Sequence, residues 1–251
     1  ENLGNSGKGW RVINLLQKDD DILTALRKKW CEVPGTTQER VYSSDLLQLD
    51  DDEFRKTWFE MYQNNCGGEG FSVRGWYHEL YQPLANLGGD WLEVGSGLGY
   101  DGVYFAGYCG ANVTFLDIIE DNLLVIKRIC QLLEIKNVEF KHLKNIETID
   151  ELGSFDVILA IGSLINAPLE FMSRERKALA DHLVDNGRWL ELAYPPERWT
   201  REGCLPFSEW GKKTDGENPP YMEWYDLAKL TQSLLPHKFD VVLDYPYHSS
   251  D

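Results

Sequence analysis

Glycines stand at 95, 97 and 99 in the stretch LEVGSGLGYDG (92–102), just after an apolar run and just before a segment of helical character. Alternating glycines at such a junction remove side chains where something must come close to the backbone. Two ligand chemistries compete for the place. A phosphate would use the unpaired N–H groups at the start of the helix. Its usual dinucleotide turn is spaced GxGxxG, and the third glycine would fall at position 100, where Tyr100 stands. Glu93, two residues before Gly95, would also oppose a pyrophosphate. A cationic ligand has the reverse preference. Asp117 ends the next apolar run, ANVTFLD (111–117), and its carboxylate can accept the hydroxyls of a ribose. A ribose wants this acid in either ligand class, so Asp117 alone does not discriminate, and capping of a helix at 118–121 is its competing role.

S-adenosylmethionine has the cationic character, with a sulfonium, an ammonium and no phosphate. Glu93 would accept a hydrogen bond near that ammonium, directly or through water. Methyl transfer is an in-line displacement at an activated carbon whose leaving group the cofactor brings. The protein supplies orientation and exclusion of water, together worth about 7–11 kcal/mol of barrier. A base is needed where the acceptor must lose a proton early, as a hydroxyl must; a neutral amine needs little help. Five histidines stand at 78, 142, 182, 237 and 248, and for each the plainer role is packing or surface placement. His78 is the candidate base, because GFSVRGWYHELY precedes the first strand and is placed to fold over the cofactor mouth. Arg74 in the same segment is a candidate partner for the methionine carboxylate, against a plain surface role. Trp199 and the group Glu223, Trp224, Tyr225 and Asp226 set aromatic faces beside carboxylates. That suits a cation, a sugar ring, or simply the pinning of a long loop.

The elements that must position these residues alternate. Residues 1 to about 85 read as helical, with acids leading DDDILTALRKKW (19–30) and DDDEFRKTWFEMYQNN (50–65), as helix N-termini favour. The second carries the stripe Phe54, Trp58, Met61 and Tyr62, and RGWYHELYQPL (74–84) adds a shorter helix. Strands are expected at 91–95, 111–117, 138–143, 155–162, 188–195 and 238–245, and helices at 100–109, 122–135, 175–187 and 223–235. Asn186-Gly187 is expected to close the third of those helices. This β-α alternation predicts an α/β fold: a Rossmann-like, mostly parallel open sheet with helices on both faces and a helical N-terminal extension. The expected division is an extension or lid over 1–87 and a Rossmann-like domain over 88–251. An insertion at 195–224 is too long for an ordinary connection, and its aromatics argue for order.

The totals exclude several classes. Acidic residues number 41 against 25 basic ones, for a net charge of −16, which repels nucleic acid and anionic membrane. Five cysteines without a CxxC pair predict reduced thiols with no disulfide frame and no metal site, in a cytoplasmic setting. No apolar run reaches the roughly 20 residues of a membrane span. The start, ENLGNSGKGW, has neither signal nor transit character and lacks an initiator Met, so the chain is expected to begin inside a longer one. The ending PYHSSD leaves any further edge strand incomplete or absent.

LEVGSGLG followed by TFLD, then FDVILAIGSLIN and DNGRWLELAYP, resembles the class I, Rossmann-like S-adenosylmethionine-dependent methyltransferases, over about residues 88–195. The resemblance implies that Glu93, Gly95, Gly97 and Gly99 line the methionine portion, with Ser96 in the same turn. It implies Asp117 on the ribose, Ile118 on the adenine, Asn145 with Ile146 near the adenine amino group, and Gly162 and Ser163 closing the far side. Asn166 ends the fourth-strand motif where relatives acting on small molecules often carry His. With Trp199, Glu223, Trp224 and Tyr225 it makes the candidate substrate set. The expected function is transfer of a methyl group to an O or N atom of a small polar molecule, leaving S-adenosylhomocysteine. The expected partner is that small acceptor, with no nucleic acid and no membrane; the oligomeric state is left open. The alternatives are a non-catalytic regulatory domain that binds the cofactor or its product, and an NAD-dependent oxidoreductase, which the glycine spacing and Glu93 disfavour.

Overall fold

The computed structural model describes residues 6–34, 40–66, 73–216, 218 and 221–245, with side chains from residue 18 onward except at 73–76. Helix α1 (Ser6–Trp30) is a single 25-residue element closed by Arg27, Lys28 and Lys29, the charge a helix C-terminus prefers. A short antiparallel hairpin follows, β1 (Glu32–Pro34) with β2 (Arg40–Tyr42), Val33 opposite Val41. This corrects the expectation of helix throughout 1–85. Val33, Val41 and Tyr42 favour extended backbone, and Pro34 cannot continue a helix interior. Helices α2 (Ser43–Leu46), α3 (Asp51–Cys66) and α4 (Val73–Ala85) complete the N-terminal part.

Five parallel strands form the sheet: β3 (Asp90–Val94), β4 (Asn112–Asp117), β5 (Val138–His142), β6 (Phe155–Ile161) and β7 (Leu183–Leu192). Their spatial order is β5-β4-β3-β6-β7, so the chain reverses its winding beside β3. Helices α5 (Tyr100–Tyr108), α6 (Glu120–Leu132) and α7 (Leu169–Ala180) make the crossovers. Period-2 alternation sorts each strand between two cores. Trp91, Val113, Phe115, Val157 and Leu159 join Trp58, Phe105 and Ile126 on one face. Leu92, Val94, Leu116, Ile158 and Ala160 join Phe171, Met172, Leu179 and the α1 residues Leu23 and Leu26 on the other.

Two boundaries differ from expectation. Helix α7 stops at Ala180, and Asn186-Gly187 lies inside β7 rather than ending a helix. Asn186 is left-handed at φ 63°, and the register jumps between the pairs Phe155–Leu183 and Val157–Arg188. The dipeptide marks a bulge here, the other use of a left-handed residue. Residues 238–245 form no strand, and Val241, Val242, Leu243 and Tyr245 are exposed. Phe239 touches Trp189 of β7, but no ladder forms along that edge; an apolar alternation alone does not supply pairing. The 195–224 segment carries α8 (Pro196–Arg201) and α9 (Phe207–Asp215) around Trp210 and Met222, and α10 (Leu227–Ser233) follows.

Candidate functional site

A cavity of about 350 Å³ opens at the carboxyl ends of β3, β4 and β6, at the reversal point where open α/β sheets bind ligands. Its floor is the glycine turn. Three glycines with positive φ do three different jobs there. A Cβ on Gly95 would overlap the Ser163 side chain, so this glycine lets the β3 and β6 exits touch across the reversal point. A Cβ on Gly99 would lie 2.8 Å from Ile126, so this one lets α6 pack against the turn. Gly97, at φ +54°, has nothing within 4 Å of its missing side chain, and it lines the cavity. Of the three, Gly97 is the bare backbone offered to a ligand. The Trp58 indole of α3 donates to the Leu98 carbonyl at 3.0 Å and pins the turn from outside.

Asp117 accepts from Gly97 N–H at 2.8 Å, Ile119 N–H at 2.7 Å and Asn122 Nδ2 at 3.3 Å. The capping alternative is therefore realised, and Asp117 also locks the glycine turn. Three of about four acceptor places on a carboxylate are taken, leaving one turned to a ligand. Burial pushes its carboxyl up to about 6, and those N–H donors hold it back from a larger rise. Glu93 accepts from Gly102 N–H at 3.1 Å, so its carboxylate occupies the first turn of α5. Ser96 Oγ donates to backbone carbonyls of Glu93 and Leu116 and serves the turn's own shape.

Gly162, Ser163, Asn166 and Ile118 also line the cavity. Ser163 Oγ and Asn166 Oδ1 are buried without a hydrogen-bond partner, while Asn166 Nδ2 donates to the Gly162 carbonyl at 3.3 Å. Other candidates lie elsewhere. Asn145 caps a 3-10 turn, accepting from Thr148 N–H at 3.1 Å, and neither it nor Ile146 reaches the wall. His78 is buried between α4 and α5, 2.8 Å from Asp101 and stacked on Tyr104; Asp101 faces the cavity and His78 stands behind it. Trp199 donates to the Leu205 carbonyl at 2.7 Å. Glu223 takes the Tyr221 hydroxyl at 2.8 Å and Lys229 at 2.5 Å, Lys229 sits over Trp224, and Tyr225 lies under Arg176. That group organises the inserted segment rather than the cavity wall. The side chain of Arg74 lies outside the described residues.

Several wall residues carry no mark in the sequence motifs. Leu23, Leu26 and Trp30 of α1 roof the cavity, at a helical i, i+3, i+7 spacing that was there to be read. Arg40 of β2 and Asp215 of α9 meet at 3.5 Å across its rim. Tyr194, Met222 and Glu175 close the end under β7. Glu175 sits on the buried stripe of α7 with Phe171, Met172 and Leu179, and a carboxylate on an apolar stripe is itself a signal. Among the described lining residues, the ionisable groups other than tyrosine are Glu93, Asp101, Asp117, Glu175 and Asp215 against Arg40. Such a cavity favours cations.

No protein-family model and no curated protein matches the chain. Among solved structures it is similar to YcgJ from Bacillus subtilis, at 17% identity over 63% of this chain and 66% of that one, with a TM-score of 0.48. It is similar to the N-terminal domain of EvdMO1 with SAH bound, at 21% identity over 74% and 86% of the two chains, TM-score 0.47. TehB from Haemophilus influenzae gives 16% identity and a TM-score of 0.44 over 58% of this chain, and the match spans 46% of TehB's own length. The strand order and the cavity at its reversal define a Rossmann-like α/β domain, the fold of the class I methyltransferases that the sequence motifs resemble.

Proposed function

We propose that the protein is an S-adenosylmethionine-dependent methyltransferase acting on an O or N atom of a small polar molecule. One observation carries this reading: the N-terminus of α5, where a dinucleotide fold seats its pyrophosphate, is filled by the protein's own Glu93 carboxylate. A phosphate is repelled there, and a nucleoside bearing positive charge is not. The residues fit such a cofactor. Gly97 offers bare backbone, Asp117 keeps one acceptor place for a ribose hydroxyl, and Ile118 and Leu143 give an apolar wall for a nucleobase. Arg40, the one basic side chain among the described lining residues, suits the amino-acid carboxylate. When bound, S-adenosylmethionine supplies a methyl group activated by a sulfonium that leaves as a neutral thioether. The chain's part is to hold acceptor and donor in line and to exclude water, with α1 and the hairpin as the roof.

The test is calorimetry with S-adenosylhomocysteine and with NAD. Micromolar binding of the first and none of the second supports the proposal, and the reverse pattern contradicts it. Asp117→Ala should weaken the homocysteine product's binding by tenfold or more, from the loss of a charged acceptor. Unchanged affinity in that variant removes Asp117 from the ribose.

A further inference from the structure

Glu175 is 6% exposed, lines the cavity, and accepts no hydrogen bond from any described residue. The charged groups that face it are Arg176 on its own helix and Glu191 on β7. Arg176 directs Nε and Nη2 elsewhere, to Glu191 at 2.6 Å and the Leu164 carbonyl at 2.7 Å, and lies over the Tyr225 ring, while its Nη1 donates to no described group, Glu175 included. A buried carboxyl without a donor is unfavourable unless a ligand supplies one. In the lining of the same cavity, past the β6 exit, Asn166 is 5% exposed and its Oδ1 is buried without a partner, and Ser163 Oγ is also buried without one. The Glu175 carboxylate and Asn166 Oδ1 ask for hydrogen-bond donors, and the Ser163 hydroxyl serves in either role. Away from Arg40, the carboxylates around the cavity disfavour an anionic acceptor. Burial, opposed by Arg176 and assisted by Glu191, raises the Glu175 carboxyl to about 7, a basicity matched to proton removal near neutrality.

Resting on the methyltransferase reading above, we infer that Glu175 is the general base of the reaction and that the acceptor is a small amine, bound as an ammonium against Glu175 and Asn166. One ammonium proton passes to the Glu175 carboxylate, leaving the nitrogen lone pair free. That pair forms the new C–N bond as the donor's C–S bond breaks with its electrons on sulfur. The products are a methylated ammonium, a neutral thioether and a protonated Glu175, which returns its proton to solvent on release.

Sinefungin, whose ammonium stands where the methylsulfonium would, tests this against S-adenosylhomocysteine, whose sulfur is neutral. The wild-type protein should bind sinefungin at least about tenfold more tightly. Glu175→Gln should keep the homocysteine product within about twofold, which also reports an intact pocket, and should lose the sinefungin preference. Glu175→Asp should recover part of it. A preference missing from the wild type, or persisting in Glu175→Gln, overturns the Glu175 assignment while the cofactor reading stands. Failure of the wild type to bind either compound overturns the cofactor reading and this inference with it.

Discussion

At the scale of single residues, the glycines of the 95–99 turn are not equivalent, and substitution separates them. Gly97→Ala places a methyl in open cavity at a left-handed φ. It should cost about 1–2 kcal/mol of stability and weaken nucleoside binding by tenfold or more. Gly95→Ala drives a Cβ into Ser163 and should lose more stability, about 2–4 kcal/mol. Thermal unfolding and calorimetry on both variants check the order; equal losses in both would contradict it. Glu175 predicts a pH effect. Its folded carboxyl is raised from 4.5 to about 7, so between those values the folded state holds a proton that the unfolded state has lost. Its contribution to stability is therefore fully present below about pH 4.5 and lost as the pH rises through 7. Glu175→Gln should melt like the wild type at pH 4.5 and above it at pH 8, by on the order of 2–3 kcal/mol. A gap that does not grow with pH would contradict this. Glu93, Gly97 and Asp117 were legible as cavity lining because alternating glycines and acids at strand ends mark a close approach to the backbone. Arg40 and Tyr194 were not, since one arginine or tyrosine among many carries no spacing.

At the scale of elements, the sheet follows from alternation and the roof does not. Trp91, Leu92 and Val94 declare a two-sided strand by themselves. The β1–β2 hairpin, the bulge at Asn186-Gly187 and the absence of a strand over 238–245 depend on partners distant in sequence, which local propensity does not see. The roof is held by charge as well as by the packing of Leu23 and Leu26 into the core. Lys29, with its side chain 2% exposed, pairs with Glu32 and donates to the Asp215 carbonyl, and Arg174 grips Asp19 through two bonds of 2.5 and 2.6 Å. Lys29→Met removes the cation that pairs with half-buried Glu32 and donates to the Asp215 carbonyl. It should loosen α1, the hairpin and the end of α9 together and weaken cofactor binding several-fold. Hydrogen exchange should rise across 19–34 while β3, β4 and β6 keep their protection. Uniform loss across the sheet would mean that Lys29 supports the whole fold rather than the roof.

At the scale of the molecule, two unlike parts meet at one cavity. The Rossmann-like sheet supplies the floor, with Gly97 and Asp117. The N-terminal helix, the hairpin and the inserted α9 supply the roof and rim, through Leu26, Trp30, Arg40 and Asp215. The floor could be read from alternating glycines and a strand-end acid that lie within 25 positions of one another. The α1 stripe of the roof was legible in its spacing, but its docking was not, because its contacts join residues such as Lys29 and Asp215, 186 positions apart. The overall charge of −16 is concentrated in the same sense at the site, where acids outnumber the single guanidinium among described lining groups. The most direct test is a crystal structure of the protein with S-adenosylhomocysteine. The account predicts the ribose within hydrogen-bonding distance of Asp117 and the ligand lying against Gly97. A ligand bound away from this turn, or a turn closed over by the protein's own side chains, would contradict it.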